Sequence, residues 1–522
     1  MNSGSNNPQP NNKQFGLNSG SAASNEQATP LPYLAGLRRF AGTFITDAFD
    51  QVASTVSGGG KNSGKGGGGS GTNYYAGFAC AFCLGPVDGI YGIFLNGDDV
   101  FTSNNRLVPT LLHQFQNLAT ADFSGPHNLA DGSVVLINGA DQTEFNGEFT
   151  IHVTGANSFQ YTIPGSSLNQ ETATGQIQIY AKLAPILRGN EDSREITIPN
   201  YGTMVIHWGT ETQTADNYLA VSGTNHSPMR GVCYAVFKQF FLGLNQTNIQ
   251  NLEVVLSRKP SVPWQTNPTD NNISNEANPA IFIYELLTNP RAGVGLVADD
   301  FNLVDFAAAA VQFANEGLGI SFVIDRADTA LTVVQNILNG IDAMLLLDDA
   351  GKLTLQVIRA PADYTVIAQL TDAQLASRPQ MKALDWSNAI NQTRIVFPNR
   401  DAAFTNDFVE WFDFGSVTAA LKLAQPQTLQ RDFITRKDLA QAMVQAAGAA
   451  SAIPAVSGQV DVLYTADLWA ALAPGELFQG TFTSAPRANG IFRVTKRTFK
   501  RTDQPVFTIE YAADRSYLNF GS

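Results

Sequence analysis

The sequence predicts a β-rich, multidomain α+β protein, and three observations carry that reading. At 522 residues the chain is too long for one hydrophobic core, since single cores stop growing near about 250–300 residues. Most apolar stretches alternate with a period of two and end in Asn-Gly, Gly or Pro turns, the pattern of half-buried strands. Between about Asn278 and Leu347 the period changes, and three helical patterns follow one another.

Composition narrows the class further. Hydrophobic residues make up 44% of the chain, ample for real cores, whereas charged residues make up only 15%, against roughly 25% in an ordinary soluble protein. The polar surface must therefore come from Asn, Gln, Ser and Thr, which suits large subunit contacts or stacked β-structure. The net charge of −13 argues against a dedicated nucleic-acid binder, which carries a basic excess. Three cysteines, Cys80, Cys83 and Cys233, are too few for a disulfide framework. The first residues lack the basic start and apolar core of a signal peptide, and no apolar run is long enough to span a membrane. The expectation is a protein made and assembled in the cytosol, with no membrane segment of its own.

In chain order, residues 1–29 are Asn, Ser, Gly, Gln and Pro with almost nothing to bury, and are expected to be disordered unless a partner orders them. Over 30–71 the pattern changes. Leu37, Phe40, Ala41, Phe44, Ile45, Ala48, Phe49, Val52 and Val56 recur at three- and four-residue steps, which predicts an amphipathic helix. The Gly-rich run from Ser57 to Gly71 then reads as a flexible tether. The apolar face formed by Leu37, Phe40, Phe44, Ile45, Phe49 and Val52 is a candidate docking surface, either for the chain's own main domain or for another subunit. Within the tether, Gly59 to Lys65 mimics a phosphate-binding loop. Gly66 stands where Ser or Thr should be and no predicted strand precedes it, so low complexity explains it better.

Residues 72–260 read as a first β domain. It opens with the strand around Tyr74–Phe82, the turn Gly85-Pro86-Val87-Asp88-Gly89, and a hairpin turn at Asn96-Gly97. Residues 107–181 form a separate β insertion, with strands expected at Ser133–Ile137, Glu148–Val153, Ser158–Ile163 and Gly175–Tyr180. Pro260 to Asn275 is a linker by composition. A helical or α+β domain follows over 276–375. There Asn278 can cap a helix begun by Pro279 and stopped at Asn289-Pro290, with Gly293 and Gly295 permitting a sharp return. Two further helices are expected, Phe306–Glu316 and one capped by Asp328, then a hairpin turning at Asp349-Ala-Gly351. Residues 376–522 return to β text, with one helix near Thr435–Ala449.

No catalytic or metal-binding set emerges. Cys80 and Cys83 lie three apart on one strand and face opposite sides, so buried thiols fit better than zinc ligands. The five histidines, His113, His127, His152, His207 and His226, show no site-building spacing, and His-Glu-x-x-His and Gly-x-Ser-x-Gly are absent. The pairs Asp98-Asp99, Asp299-Asp300 and Asp348-Asp349 sit at predicted turns or helix starts, where Asp caps backbone N–H groups. The basic run Arg493–Arg501 can be a phosphate contact, but a solvated turn or an acidic partner fits it better. The reading is of a protein that is not an enzyme and needs no cofactor.

Four segments together resemble the tail-tip or baseplate-hub proteins of tailed bacteriophages, the family of the lambda tip attachment protein and of gene transfer agent hubs. They are Leu84-Gly-Pro-Val-Asp-Gly89 with its following strand, Ala280–Gly295, Thr329–Leu355 and Met381–Asn399. The resemblance implies a homotrimer in which two β-barrel-like hub domains per subunit, 72–260 and 376–522, form a pseudo-sixfold ring, with the helical domain between them in the chain. Such a hub would close the distal end of the tail tube, contact the distal tail protein and the tape-measure protein, and open for genome ejection. The acidic balance would suit a wall that DNA passes without specific binding. The chain departs from the lambda-type protein in lacking a long fibre-bearing extension, so separate fibre or spike proteins are expected to recognise the host. The resemblance implies a virion location at the tail tip, after assembly in the host cytoplasm. The alternatives are a receptor-binding tail adhesin, using the 107–181 insertion, or a hub carrying cell-wall-degrading activity.

Overall fold

The computed structural model describes residues 31–522 except 57–70, 164–169, 183–184, 199–200, 224–225, 266, 325–329, 362–366, 384–385, 387–388, 420–424, 455, 486–488, 501–504 and 516–522. The expected disordered tail (1–29), the Gly-rich tether with its phosphate-loop mimic, and the Asp328 cap lie outside the described residues. The chain forms two compact units: Arg39–Ser257 with the residues up to Pro32, and Tyr33–Arg38 with Arg258–Ser522. As the composition implies, the class is β-rich α+β with several sheets, and these are open rather than closed barrels.

The first unit is built on a sheet ordered Ser193–Ile198, Gly202–Trp208, Val232–Leu244, Gly71–Leu84 and Thr43–Phe44, with Phe49–Val56 also paired to Gly71–Leu84. Its two central strands are apolar on both faces over much of their length, which marks a covered sheet. Phe78, Phe82, Trp208, Tyr234 and Phe237 are all fully buried, and Phe78 stacks on Phe237 at 4.5 Å. Gly89–Leu95 pairs with Leu252–Arg258, and Asn96 and Gly97 turn the chain with φ of 51° and 94°, as Asn-Gly hairpins require. The insertion is a β-sandwich. A four-stranded sheet (Gly147–Thr150, Val134–Ala140, Gly175–Lys182, Thr102–Leu107) and a five-stranded one (His152–Gly155, Ser158–Thr162, Leu118–Asp122, Leu111–Phe115, Glu171–Thr172) close on Val135, Ile137, Ile179, Phe159 and Tyr161. The run expected as one strand, Glu148–Val153, divides at the buried Ile151 and serves both sheets.

The amphipathic helix expected over Leu37–Val56 is not formed. The segment is three strands, Tyr33–Ala41, Thr43–Phe44 and Phe49–Val56. Its backbone groups bond to neighbouring strands rather than to each other: Thr43 and Phe44 lie opposite Ala81 and Cys80, and Thr55 and Val56 lie opposite Thr72 and Gly71. The Gly-rich run therefore joins two paired strands. Tertiary pairing overrides helical spacing here, helped by the β-branched residues Thr43, Thr46, Val52, Thr55 and Val56. Gly36, just before the expected helix, has φ of +69° and a Cβ position that would overlap the Ile320 carbonyl.

In the second unit the first helix, α1 (Pro279–Thr288), forms as the residues dictate. Asn278 accepts from the Ala280 N–H at 3.0 Å, and its amide also donates to the carbonyls of Asp270 and Ala310. Eight of its residues, Pro279 to Tyr284 with Leu286 and Leu287, are buried, so the helix is sunk in the core rather than half-exposed. Each fully buried Phe or Ile contributes about 1.5–3 kcal/mol. Glu285 and Thr288 are half-buried, and Glu285 is held by Arg258, whose guanidinium also donates to the Leu34 carbonyl and lies over Tyr33 at 4.6 Å. After Asn289 the chain doubles back with Gly293 N–H on Asn289 O and Leu296 N–H on Leu287 O. A Cβ at Gly293 would overlap the Leu286 carbonyl.

Helices α2 (Leu303–Asn315) and α3 (Ala330–Ile341) follow, then the hairpin Ala343–Leu347 with Leu353–Val357. The short α4 (Phe414–Ala419) precedes α5 (Lys437–Ser451), which covers one face of a sheet ordered Thr405–Phe412, Gln392–Asn399, Pro426–Gln430. After the short α6 (Ala466–Ala471) the chain completes a six-stranded sheet, Ala368–Thr371, Leu477–Thr481, Gly490–Lys500, Val506–Ala513, Val456–Leu463, Gln380–Ala383, packed around Phe478, Phe492, Phe507 and Tyr511. A buried carboxylate ties the helical part of this unit to its β part: Glu276 accepts from the Thr435 hydroxyl at 2.6 Å and from Arg436 at 3.1 Å. Burial raises its pKa, opposed by these partners and Arg400.

Candidate interaction surfaces

The residues singled out for chemistry have structural partners. Asp99 accepts from the Phe101 N–H, Asp300 from Val297 N–H, and Asp348 from the N–H groups of Ala350 and Lys352, the capping role expected of turn aspartates. Cys80, Cys83 and Cys233 are free and buried, and Cys233 lies directly opposite Cys83 on the neighbouring strand. Burial pushes the Cys80 and Cys233 thiols well up, which makes them poor nucleophiles. The basic run is largely neutralised at home: Arg493 pairs with Asp514, Lys496 with Glu510, Arg497 with Asp349 and Lys500 with Asp461. Among the described residues no group of three or more His, Cys, Asp or Glu is placed to hold a metal.

One pairing was not legible in the spacing. His207 Nε2 lies 3.0 Å from Asp216 Oδ2, both buried, with the imidazole stacked on Tyr234 at 4.3 Å. Burial raises the Asp216 pKa, but the bonds from His207 and the Tyr218 N–H outweigh it and hold the carboxyl below its ordinary value. His207 Nδ1 has no partner among the described residues, so the pair lacks the third member of a nucleophilic triad. With Gln213, whose amide donates to the carbonyls of Pro228, Met229 and Val232, it anchors the loop after Trp208.

The candidate docking face is divided by the strands that replace the helix. Leu37 and Phe40 are buried; Phe44, Ile45 and Phe49 are half-buried, Ile45 and Phe49 against a cluster including Ala79, Leu219 and Val236. Phe44 meets Phe78 edge-on at 5.8 Å and Phe49 meets Tyr218 at 5.3 Å. Only Val52, 46% exposed, remains open to a partner.

Open surface of other kinds occurs in the second unit. The sheet face away from α5 exposes Phe408 and Phe412, with Phe414 77% exposed and edge-on to Phe412 at 4.6 Å, while Arg394 lies over Phe408. A cleft of about 500 Å³ runs between α2, the 343–357 hairpin and the 473–476 turn. Its walls carry Asp305, Asp348, Asp349 and Glu476 against a single cation, Arg497. Arg497 is stacked on Trp469 at 3.6 Å and its pKa is lowered by burial. Thr354 donates to Asp305 at 2.5 Å and Gln356 to Glu476 at 3.4 Å. Apolar surface flanks the acids: Ala308 and the exposed Leu347 line the cleft, and Val304 and Val311 continue the Ala308 side of α2 at i, i+4 and i+7. That second apolar stripe is readable in the alanine-rich run. The acids come from three distant segments and are not.

No protein-family model matches the chain, and no curated protein does. Solved structures do. A chain of the virion of a native gene transfer agent particle matches with a TM-score of 0.51 at 12% identity, over 97% of this chain and 89% of that one. A tail protein from Neisseria meningitidis MC58 (TM-score 0.32, 11% identity, 83% and 98% coverage) and a prophage MuSo2 tail protein from Shewanella oneidensis (0.29, 8%, 82% and 100%) are more distant. The chain shares its fold with that virion chain. This agrees with the resemblance read in the four sequence segments.

Proposed function

We propose that this chain is a structural virion protein, a homotrimeric tail-tip or baseplate hub that closes the distal end of a phage-type tail, organises tail assembly and opens for genome ejection. The observation that carries this reading is the fold match to a virion chain over 97% of this protein. The aspartate pairs used as turn caps and the buried thiols support a role without catalysis. The net charge of −13 and the internally paired basic run suit a wall that DNA passes without sticking. The expected partners are the distal tail protein, the tape-measure protein and separate fibre or spike proteins, with the exposed Phe408–Phe414 face available for a subunit contact. Immunogold labelling of intact particles with antibody to this chain tests the location. Label at the distal tail end is expected; label on the head, or none on particles, contradicts it.

One observation favours the adhesin reading for the insertion. Its hairpin Leu111–Phe115/Leu118–Asp122 presents Leu111, Phe115 and Leu118 outward, with Phe115 62% exposed. Loss of particle adsorption on replacing Phe115 and Leu118 by Ser would support it; unchanged adsorption would remove it.

A further inference from the structure

We propose that Cys83 and Cys233 are a redox pair, two thiols of the first unit that a peroxide converts to a single cross-strand disulfide. The two residues lie directly opposite each other on the antiparallel strands Gly71–Leu84 and Val232–Leu244. Directly opposed residues of such a pair have Cα atoms about 4.5–5.5 Å apart, inside the window of about 4.4–6.8 Å that a disulfide spans. Both side chains are fully buried, and after burial the neighbouring Cys83 thiol is the next cause raising the Cys233 pKa. The pairing is made by a bulge. Cys83 lies opposite Cys233 but Ala81 lies opposite Tyr234, so Phe82 is an extra residue in its strand. The bulge brings Cys83 onto the face that carries Cys80, opposite Ala235, and the opposed facing expected from their spacing is not kept. Cys80 is still no competitor. It sits between Phe44 and Ala235, about 7–8 Å diagonally from Cys233 and about 10 Å from Cys83 at about 3.3 Å per residue, beyond the roughly 7 Å limit for bridging.

The chemistry balances with hydrogen peroxide as the two-electron oxidant. One sulfur attacks a peroxide oxygen and the O–O bond breaks; the departing oxygen takes the thiol proton and leaves as water, giving a sulfenic acid. The facing sulfur then attacks the sulfenic sulfur, and the S–O bond breaks as the S–S bond forms. The hydroxyl leaves with the second thiol proton as a second water. Two thiols are oxidised and one peroxide is reduced. Burial keeps the Cys233 thiol protonated, so attack on peroxide is slow, whereas the second step joins groups already held together. The bridge closes a loop of 150 residues (233 − 83) that holds the 107–181 insertion, and a cross-link over so long a loop restricts the unfolded chain strongly. It joins two neighbouring strands of the main sheet, so it stabilises the first unit whatever the chain's role in a particle.

The test exposes the full folded chain, purified with reductant and then freed of it, to millimolar hydrogen peroxide, and counts thiols by alkylation in denaturant. One alkylated thiol per chain, Cys80, is expected where the reduced chain gives three. Chymotrypsin, which cuts after Phe82, separates Cys80 from Cys83. Mass spectrometry should then find the Cys83 peptide joined to the Cys233 peptide until dithiothreitol is added. The urea midpoint of the first unit should rise by at least about 1 M on oxidation and return with dithiothreitol. Cys233→Ala should lose both the bridge and the shift, while Cys80→Ala keeps both; circular dichroism confirms that each chain is folded. Three thiols remaining after peroxide, a bridge through Cys80 or between chains, or sulfinic acid at Cys83 with Cys233 untouched overturns the proposal.

Discussion

Asp372 shows how much a single exposed carboxylate can organise. It accepts from the Thr483 N–H at 2.6 Å, the Thr483 hydroxyl at 2.5 Å, the Ser484 N–H at 3.3 Å and the Ser484 hydroxyl. The Ser484 and Thr483 hydroxyls, with the two backbone N–H groups, pull its pKa down to about 2. A carboxylate depressed in this way stabilises the fold above the unfolded-state pKa of about 4. That contribution is lost as pH falls through about 2. Carbon-detected NMR titration should show Asp372 still ionised at pH 3, and Asp372→Asn should speed exchange of the Thr483 and Ser484 amides at neutral pH. A titration midpoint near 4 would show the contacts to be absent in solution.

At the scale of elements, the α1 return is set by close approach. The Gly293 Cα sits where any side chain would overlap the Leu286 carbonyl, and the bonds to Asn289 and Leu287 leave little room to shift. Gly293→Ala is expected to destabilise the second unit by about 3 kcal/mol or more, read as a fall in urea midpoint with unchanged slope. A midpoint within error of the parent would mean that the turn relaxes freely. This element was legible in the sequence because its determinants are local: a cap at Asn278, a stop at Pro290 and glycines where the chain reverses. The Tyr33–Val56 segment was misread because its burial is decided by strands far along the chain. Leu37, Phe40, Phe44 and Phe49 satisfy a helical spacing by coincidence, while the β-branched residues Thr43, Val52, Thr55 and Val56 carried the opposite signal. Deleting residues 1–71 would therefore remove strands from the main sheet.

For the whole molecule, what was legible is the class: many short strands, a separate β insertion and a helical stretch between β regions. What was not legible is which distant segments meet. The His207–Asp216 pair, the Glu276–Arg436 link and the acids around the cleft each depend on contacts that no local pattern encodes. The open sheet orders also leave edges and faces, such as Phe408–Phe414, that one chain does not cover. A hub made of three copies supplies a reason for that exposed surface and for the low charge of 15%. The mass of the purified protein in solution, by light scattering at physiological salt, tests this most directly. Three chains of 56.0 kDa, about 168 kDa in total, are predicted; a stable species at the mass of one or two chains would contradict the trimeric hub.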